Sequence, residues 1–234
     1  MAVKTTDRIT TQGQSDEAPQ NQPFSNNGNR DFYENISLED FENFAKVIGL
    51  ETGADVNAIY PYLASCSSIM EIGAGYGRVI DCLIKKDFKG KIYAVERVAH
   101  LASLIRHRFG DYTEVLEQDL KDIQLAEKIN CVLWLWSGVM ELAPDEQHKT
   151  LKNLYDLLAS RGTLFLETPE KIHYIGEQYD HQMIKFTTNW GTINAYFPEK
   201  EEVKARLREV GFRKINVFYY TVRNNRRLFF RATK

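Results

Sequence analysis

The stretch Ser68-Ile69-Met70-Glu71-Ile72-Gly73-Ala74-Gly75-Tyr76-Gly77-Arg78 decides the fold. A short apolar run that ends in a glycine cluster is how a buried parallel strand looks, and the residues after it open a helix at once. Val79, Ile80, Leu83 and Ile84 make one apolar face of that helix between Gly77 and Gly90. Glycines at such a turn let the backbone come close to a ligand, with amide groups facing it at the positive end of the helix. The spacing here is Gly-x-Gly-x-Gly, whereas a dinucleotide fingerprint needs Gly-x-Gly-x-x-Gly to shape its turn around a pyrophosphate. Glu71, just ahead of the glycines, would repel a pyrophosphate and suits an ammonium group.

Outward from this turn the chain alternates. Residues 91–95 form the next expected strand, and Val98, Leu101, Ala102, Ile105 and Phe109 stripe a helix after it. A short strand at 113–116 and a long apolar one at 130–136 follow. Leu151, Leu154, Tyr155 and Leu158 fall at i, i+3, i+4 and i+7 and predict an amphipathic helix, which Gly162 closes before a strand at 163–167. Strands alternating with helices of this length mean crossover units and a mainly parallel sheet covered on both faces. After Glu167 the alternation breaks. Residues 182–188 and 192–197 read as two strands joined through Asn189-Trp190-Gly191, a hairpin-like insertion. A helix over 199–210 stops at Gly211, and strands at 212–222 and 227–232, tightly connected through 223–226, make an antiparallel pair. Ahead of the glycine turn, Ser37 with Asp40 three residues on is a loose capping box for a helix striped by Phe41, Phe44, Ala45 and Ile48; a second helix covers 54–63. The expected fold is an α/β domain with a seven-stranded, mainly parallel sheet, helices on both faces, a C-terminal antiparallel hairpin and an N-terminal helical lid.

Composition removes other classes. A chain of 234 residues with 43% hydrophobic and 26% charged content is long enough to bury a real core and is not disordered as a whole. Thirty basic against 32 acidic residues leave a net charge of -2, no electrostatic reason to expect a nucleic acid as partner. Cys66, Cys82 and Cys131 are odd in number and sit within apolar runs, which supports neither a disulfide framework nor a metal site and fits a reducing cytoplasm. No apolar run is long enough for a membrane span. The first 30 residues, rich in Thr, Gln, Asn and Ser, show no periodicity and read as a flexible polar tail. The sequence carries no signal for an oligomeric state.

With Glu71 followed by Gly73, Gly75 and Gly77 directly after a strand, the sequence resembles the class I S-adenosylmethionine-dependent methyltransferases, whose first motif is an acidic residue followed by Gly-x-Gly-x-Gly. The resemblance covers about residues 68–234, and the preceding helices fit the variable lid that many members carry. It implies a Rossmann-like fold and S-adenosyl-L-methionine as cofactor, bound at Glu71, Gly73, Ala74, Gly75 and Gly77. Glu96 with Arg97, at the end of the second strand, falls where a carboxylate can accept both hydroxyls of a ribose. Asp119 with Leu120 matches the place where a carboxylate accepts from the adenine amino group and the neighbouring amide meets the ring. A helix cap over 121–128 is the structural alternative for Asp119. The segment from Trp136 and Ser137 to Glu141 borders the methionine part of the cofactor and the substrate in such enzymes. The chain is then a tail over 1–30 and one methyltransferase domain over 31–234, with a helical lid (31–66), a cofactor-binding core (67–168) and a substrate insertion with C-terminal strands (169–234).

The implied reaction is in-line methyl transfer to a nitrogen or oxygen nucleophile, which needs positioning and no metal. Absence of an Asn/Asp-Pro-Pro-Tyr/Phe motif speaks against the amide and DNA-base enzymes. Tyr33, Glu141, Tyr179, His181 and Trp190 are the expected substrate residues, and His173, His181, Glu167 and Tyr33 the candidates for catalysis. Phe32, Tyr60 and Tyr174 lie in the same variable regions, while Arg223, Arg226 and Arg227 read as a solvated hairpin tip. An aromatic-lined pocket closed by the lid and the insertion favours a small-molecule acceptor. A protein or RNA acceptor, a catalytically silent binding subunit and a nucleotide-dependent oxidoreductase are the rival readings.

Overall fold

The computed structural model describes residues 27–171, 177–178 and 180–234, and three helices precede its first strand: α1 (Asn27–Asn35), α2 (Leu38–Ile48) and α3 (Ala54–Leu63). Ser37 caps α2 as its pattern predicts, its hydroxyl accepting the Asp40 amide at 3.1 Å. The alternation follows as β1 (Ser68–Ile72), α4 (Arg78–Lys85), β2 (Lys91–Val95), α5 (Ala99–Phe109), β3 (Thr113–Leu116), β4 (Ile129–Trp134), α6 (Pro144–Leu157) and β5 (Leu158–Pro169). The insertion is β6 (Glu177–Gln178), β7 (Met183–Thr188) and β8 (Gly191–Tyr196), a separate antiparallel sheet, and α7 (Lys200–Val210), β9 (Lys214–Val222) and β10 (Asn225–Thr233) end the chain.

The main sheet has seven strands in the order β3-β2-β1-β4-β5-β10-β9. β1 to β5 pair parallel, and β10 runs antiparallel to both β5 and β9. β1 is buried at every position, as a parallel strand covered on both faces must be. One face packs Trp134 and Phe230 against Leu151, Leu154 and Leu207 of α6 and α7; the other packs Phe165 and Phe229 in a cluster with residues of α3, α4 and α5. The chain direction of growth reverses between β1 and β4. Beyond their carboxyl ends lies the crevice where open α/β sheets bind ligands. At Gly77, with φ +86, a Cβ would stand 2.6 Å from the Phe109 ring, so only glycine lets α5 approach the start of α4.

Several expected boundaries move, each for a local reason. α6 ends at Leu157 rather than at Gly162, because Leu158 is extended (φ -65, ψ 140) and pairs with Ile129. Its place in the apolar stripe reflects burial in the sheet. β4 stops at Trp134, since Trp136 and Ser137 take left-handed backbone with φ 50 and 62. β9 begins at Lys214, and β10 already at Asn225, leaving a connection of two residues. No helix forms over 121–128. The segment read as tail through residue 30 is helical from Asn27, while residues 1–26 lie outside the described residues.

Asn29 explains why α1 starts that early. Fully buried, its side chain accepts the Asn194 amide at 2.7 Å and donates to the Asn194 carbonyl at 2.9 Å, pairing with β8 as a neighbouring strand would. Below it Phe32, Phe41 and Tyr76 form a third apolar cluster, against which Phe186 and Trp190 pack. Helices α1 and α2 and the hairpin thus share one core over the glycine turn.

Candidate functional site

The turn after β1 is held by its own backbone: the amides of Gly73 and Ala74 donate to the Val95 carbonyl at 2.9 and 3.0 Å. The Gly75 amide donates to Glu96 Oε2 at 2.7 Å and the Val98 amide to Glu96 Oε1 at 2.9 Å. Glu96 is therefore no solvated surface residue. Burial pushes its carboxyl up, and the two amides pull it back. Glu71 is 5% exposed, and its Oε2 has no hydrogen-bond partner. Burial raises this carboxyl well above the usual range, with the Arg78 guanidinium opposing. Arg78 is itself bidentate to buried Asp55, at 2.8 and 2.6 Å, with its guanidinium 5.5 Å from the Trp136 ring centroid.

These groups border a cavity of about 130 Å³ lined by Gly73, Gly75, Glu96, Gln118, Leu120 and Trp136, with a smaller space of about 30 Å³ beside Glu71 and Ala74. Asp119 is not among its walls. Its carboxylate pairs with Arg97 at 3.4 Å and accepts the Lys121 amide at 3.0 Å, so its neighbours Gln118 and Leu120 face the cavity instead.

A second cavity, about 370 Å³, adjoins the first: Tyr33, Phe44, Trp136 and Glu141 line both. Its walls are apolar, with Ile48 from α2 and Ile184, Phe186 and Ile193 from the insertion, and its polar groups include Ser137, Glu141 and Arg227. At the junction the Tyr33 hydroxyl donates to Glu141 Oε1 at 2.6 Å. Burial, then the charge of Glu141, raises the Tyr33 phenol well above its usual value.

Glu141 is raised from its ordinary 4.5, burial outweighing the Tyr33 hydroxyl, Arg97 and Asn29. The sign follows from linkage. Between the ordinary and the raised pKa, the folded chain keeps a proton that the unfolded chain has released, so this group's contribution to stability falls as pH rises through that window. Urea unfolding at a series of pH values should show wild-type stability declining relative to Glu141→Gln as pH climbs from 4.5 toward neutrality. A difference that stays flat would assign Glu141 an ordinary carboxyl.

Glu167 and Arg227 form a buried pair, 0% and 7% exposed. Glu167 also accepts the Tyr220 hydroxyl and the Ser137 amide, both at 3.1 Å, and Arg227 Nη2 donates to Ser137 Oγ at 2.6 Å. Ser137 and Trp136 hold left-handed backbone, a cost of about 1–3 kcal/mol each for such residues that the surroundings must offset. Glu167, expected as a catalytic candidate, is fully buried and holds this turn through the Ser137 amide. Arg227, expected at a solvated tip, is a cavity wall.

The other expected residues divide. Tyr33, Glu141 and Trp136 line both cavities, whereas Ser137, expected beside the cofactor, lines only the larger one. Trp190 packs edge-on against Phe32, ring centroids 5.9 Å apart, and lines neither cavity; the wall it was expected to make comes from Ile184, Phe186 and Ile193. His181 is exposed and borders neither cavity. Tyr60 donates to the Lys86 carbonyl at 2.6 Å, away from the site. His173, Tyr174 and Tyr179 lie outside the described residues. Among the described residues no group of three His, Cys, Asp or Glu could hold a metal, and no helix is long and apolar enough to cross a membrane.

Two adjoining cavities at the glycine turn agree with the sequence comparison, in which residues 44–217 match the family model described as methyltransferase domain. The chain belongs to this methyltransferase family. No curated protein matches the methyltransferase in sequence. Its fold is that of the Burkholderia thailandensis 1,6-didemethyltoxoflavin-N1-methyltransferase solved with S-adenosylhomocysteine (TM-score 0.63, 14% identity, 84% of this chain and 83% of that one). It is equally similar to the glycopeptide N-methyltransferase MtfA with S-adenosylhomocysteine (0.64, 14%, 79% and 90%). The amino pentose methyltransferase CalS10 of Micromonospora echinaspora, with S-adenosylmethionine, matches at 0.60 and 13%, over 85% and 98%.

Proposed function

We propose that this methyltransferase transfers a methyl group from S-adenosyl-L-methionine to a nitrogen or oxygen of a small molecule. The adjoining cavities carry the reading: one lies at the glycine turn, the other is apolar, and Tyr33, Trp136 and Glu141 stand between them. The residues present fit the cofactor. The orphaned Oε2 of Glu71 suits an ammonium group, and each Glu96 oxygen, after its one amide bond, keeps a lone pair for a ribose hydroxyl. Leu120, expected beside the base, lines the cavity, and Gln118 does so where Asp119 was expected. S-adenosylmethionine supplies an already activated methyl group on a sulfonium.

The chain's own work is then positional. The apolar walls exclude water, and α1, α2 and the β7–β8 hairpin close over the crevice as the lid. A volume of about 370 Å³ suits a small acceptor rather than a polymer segment. The similar structures named for small-molecule acceptors support the same class.

Calorimetric titration tests this reading. S-adenosylhomocysteine and S-adenosylmethionine should bind and NAD should not. Glu96→Ala should weaken S-adenosylhomocysteine by about 1.5–3 kcal/mol, the range for hydrogen bonds to a charged group. Tight NAD binding, or an unchanged dissociation constant in Glu96→Ala, would overturn it.

A further inference from the structure

Charge lines the two cavities unevenly. Among the described residues, Glu96, Glu141, Arg97 and Arg227 line the two cavities, and Glu71 and Arg78 line the smaller space beside the glycine turn. Each arginine is matched by a different carboxylate behind the wall: Arg78 by Asp55, Arg97 by Asp119, and Arg227 by Glu167. Among the described residues the three glutamates therefore stand in excess, and because burial favours their protonated forms they carry that excess as charge only when a cation binds beside them. S-adenosylmethionine carries one net positive charge, from a sulfonium, an ammonium and a carboxylate, and leaves most of that excess unmatched.

We infer that the acceptor is an amine, bound as its ammonium form with Glu141 as counter-ion and proton acceptor; this rests on the methyltransferase reading above. Glu141 is the one excess carboxylate that borders the larger cavity. Tyr33 fixes its Oε1, whereas among the described residues Oε2 meets only the Asn29 amide group, at 3.5 Å, and is left for the acceptor. Around it the rings of Tyr33, Phe44, Trp136 and Phe186 line the same cavity, and a cation beside aromatic faces is attracted by their quadrupoles. A phenolate or carboxylate acceptor would instead bring a second negative charge beside Glu141, with no unmatched cation to receive it.

The step balances. The ammonium gives one proton to Glu141, and the freed nitrogen lone pair forms the bond to the methyl carbon. The carbon–sulfur bond breaks with its electron pair going to sulfur. The product is a methylated ammonium; Glu141, neutral while the bond forms, then returns its proton to solvent, and its restored carboxylate faces the product cation.

The test is a binding series on the full chain saturated with S-adenosylhomocysteine, which has no methyl to give. Three probes of one shape but different charge are titrated calorimetrically: 2-phenylethylamine, 2-phenylethanol and phenylacetate. The amine should bind about tenfold or more tighter than the alcohol, with phenylacetate weakest. Glu141→Gln should bring the amine to the level of the alcohol. Amine binding no tighter than the alcohol, absence of binding by both included, overturns the inference without needing the variant. An amine preference that survives Glu141→Gln overturns the role of Glu141. Failure of S-adenosylhomocysteine to bind in the first titration would overturn the methyltransferase reading itself, whereas a bound S-adenosylhomocysteine with no amine preference overturns the amine alone.

Discussion

Glu167→Ala should lower the stability of this methyltransferase by about 3–5 kcal/mol, the cost of removing one partner of a buried ion pair. For a chain of this size that is a fall in Tm on the order of 10 °C. The reason is the asymmetry between losing a pair and stranding a charge. Arg227, 7% exposed, would keep its guanidinium in the wall of the larger cavity with Ser137 Oγ as its remaining side-chain acceptor among the described residues, and the Ser137 amide and Tyr220 hydroxyl would lose theirs. Replacing both partners by apolar residues, as in Glu167→Leu with Arg227→Met, should cost clearly less than Glu167→Ala alone, because no buried charge is then left unmatched. A loss under about 1 kcal/mol in Glu167→Ala would mean that water reaches Arg227 and that the Trp136–Ser137 turn is held otherwise.

The parts of the molecule visible in the sequence are those where periodicity and turn chemistry act locally. Ser68 to Gly77 announces a buried strand and a glycine turn within ten residues, and Glu96 stands out as the carboxylate that ends the next strand. The hairpin at β7 and β8 was legible because the alternation of strand and helix stops. What stayed hidden depends on partners far away in the chain. Asn29 is a polar residue in a polar stretch, and only Asn194, 165 positions away, makes it a fully buried bridge. Arg227 sits beside two other arginines like a solvated tip, and only its strand pairing with β5 turns it toward Glu167. The same pairing buries Glu167 against Arg227. Leu158 satisfies the helical stripe and the strand equally well, since a buried leucine carries no mark of the element that buries it. The break in the alternation marks the insertion as a pocket wall, but it cannot say which of its side chains face the pocket, and Trp190 packs on Phe32 instead. Asp119 was given by the resemblance, and its ion pair with Arg97 turns it aside.

Gly75→Leu should abolish cofactor binding while leaving a folded chain, and the two effects are separable by size. Gly75 has φ +56, where an L-residue pays roughly 1–2 kcal/mol, and its added Cβ would meet the Phe41 ring at 3.2–3.3 Å. Both are local costs: the amide still points at Glu96, and β1 and α4 lie on either side with their packing intact. The rest of a leucine side chain has only the cavities that Gly75 borders, about 130 and 30 Å³, in which to go. Space needed by the ligand is then filled by protein. The expected result is a loss in S-adenosylhomocysteine affinity of about a hundredfold or more, near 2.7 kcal/mol. Circular dichroism should stay at the parent spectrum, and Tm should drop by only a few degrees, as the strain term requires. A Gly75→Leu protein that folds and binds S-adenosylhomocysteine within about threefold of the parent would place the cofactor elsewhere, because no bound ligand could approach this turn and tolerate four added carbons there.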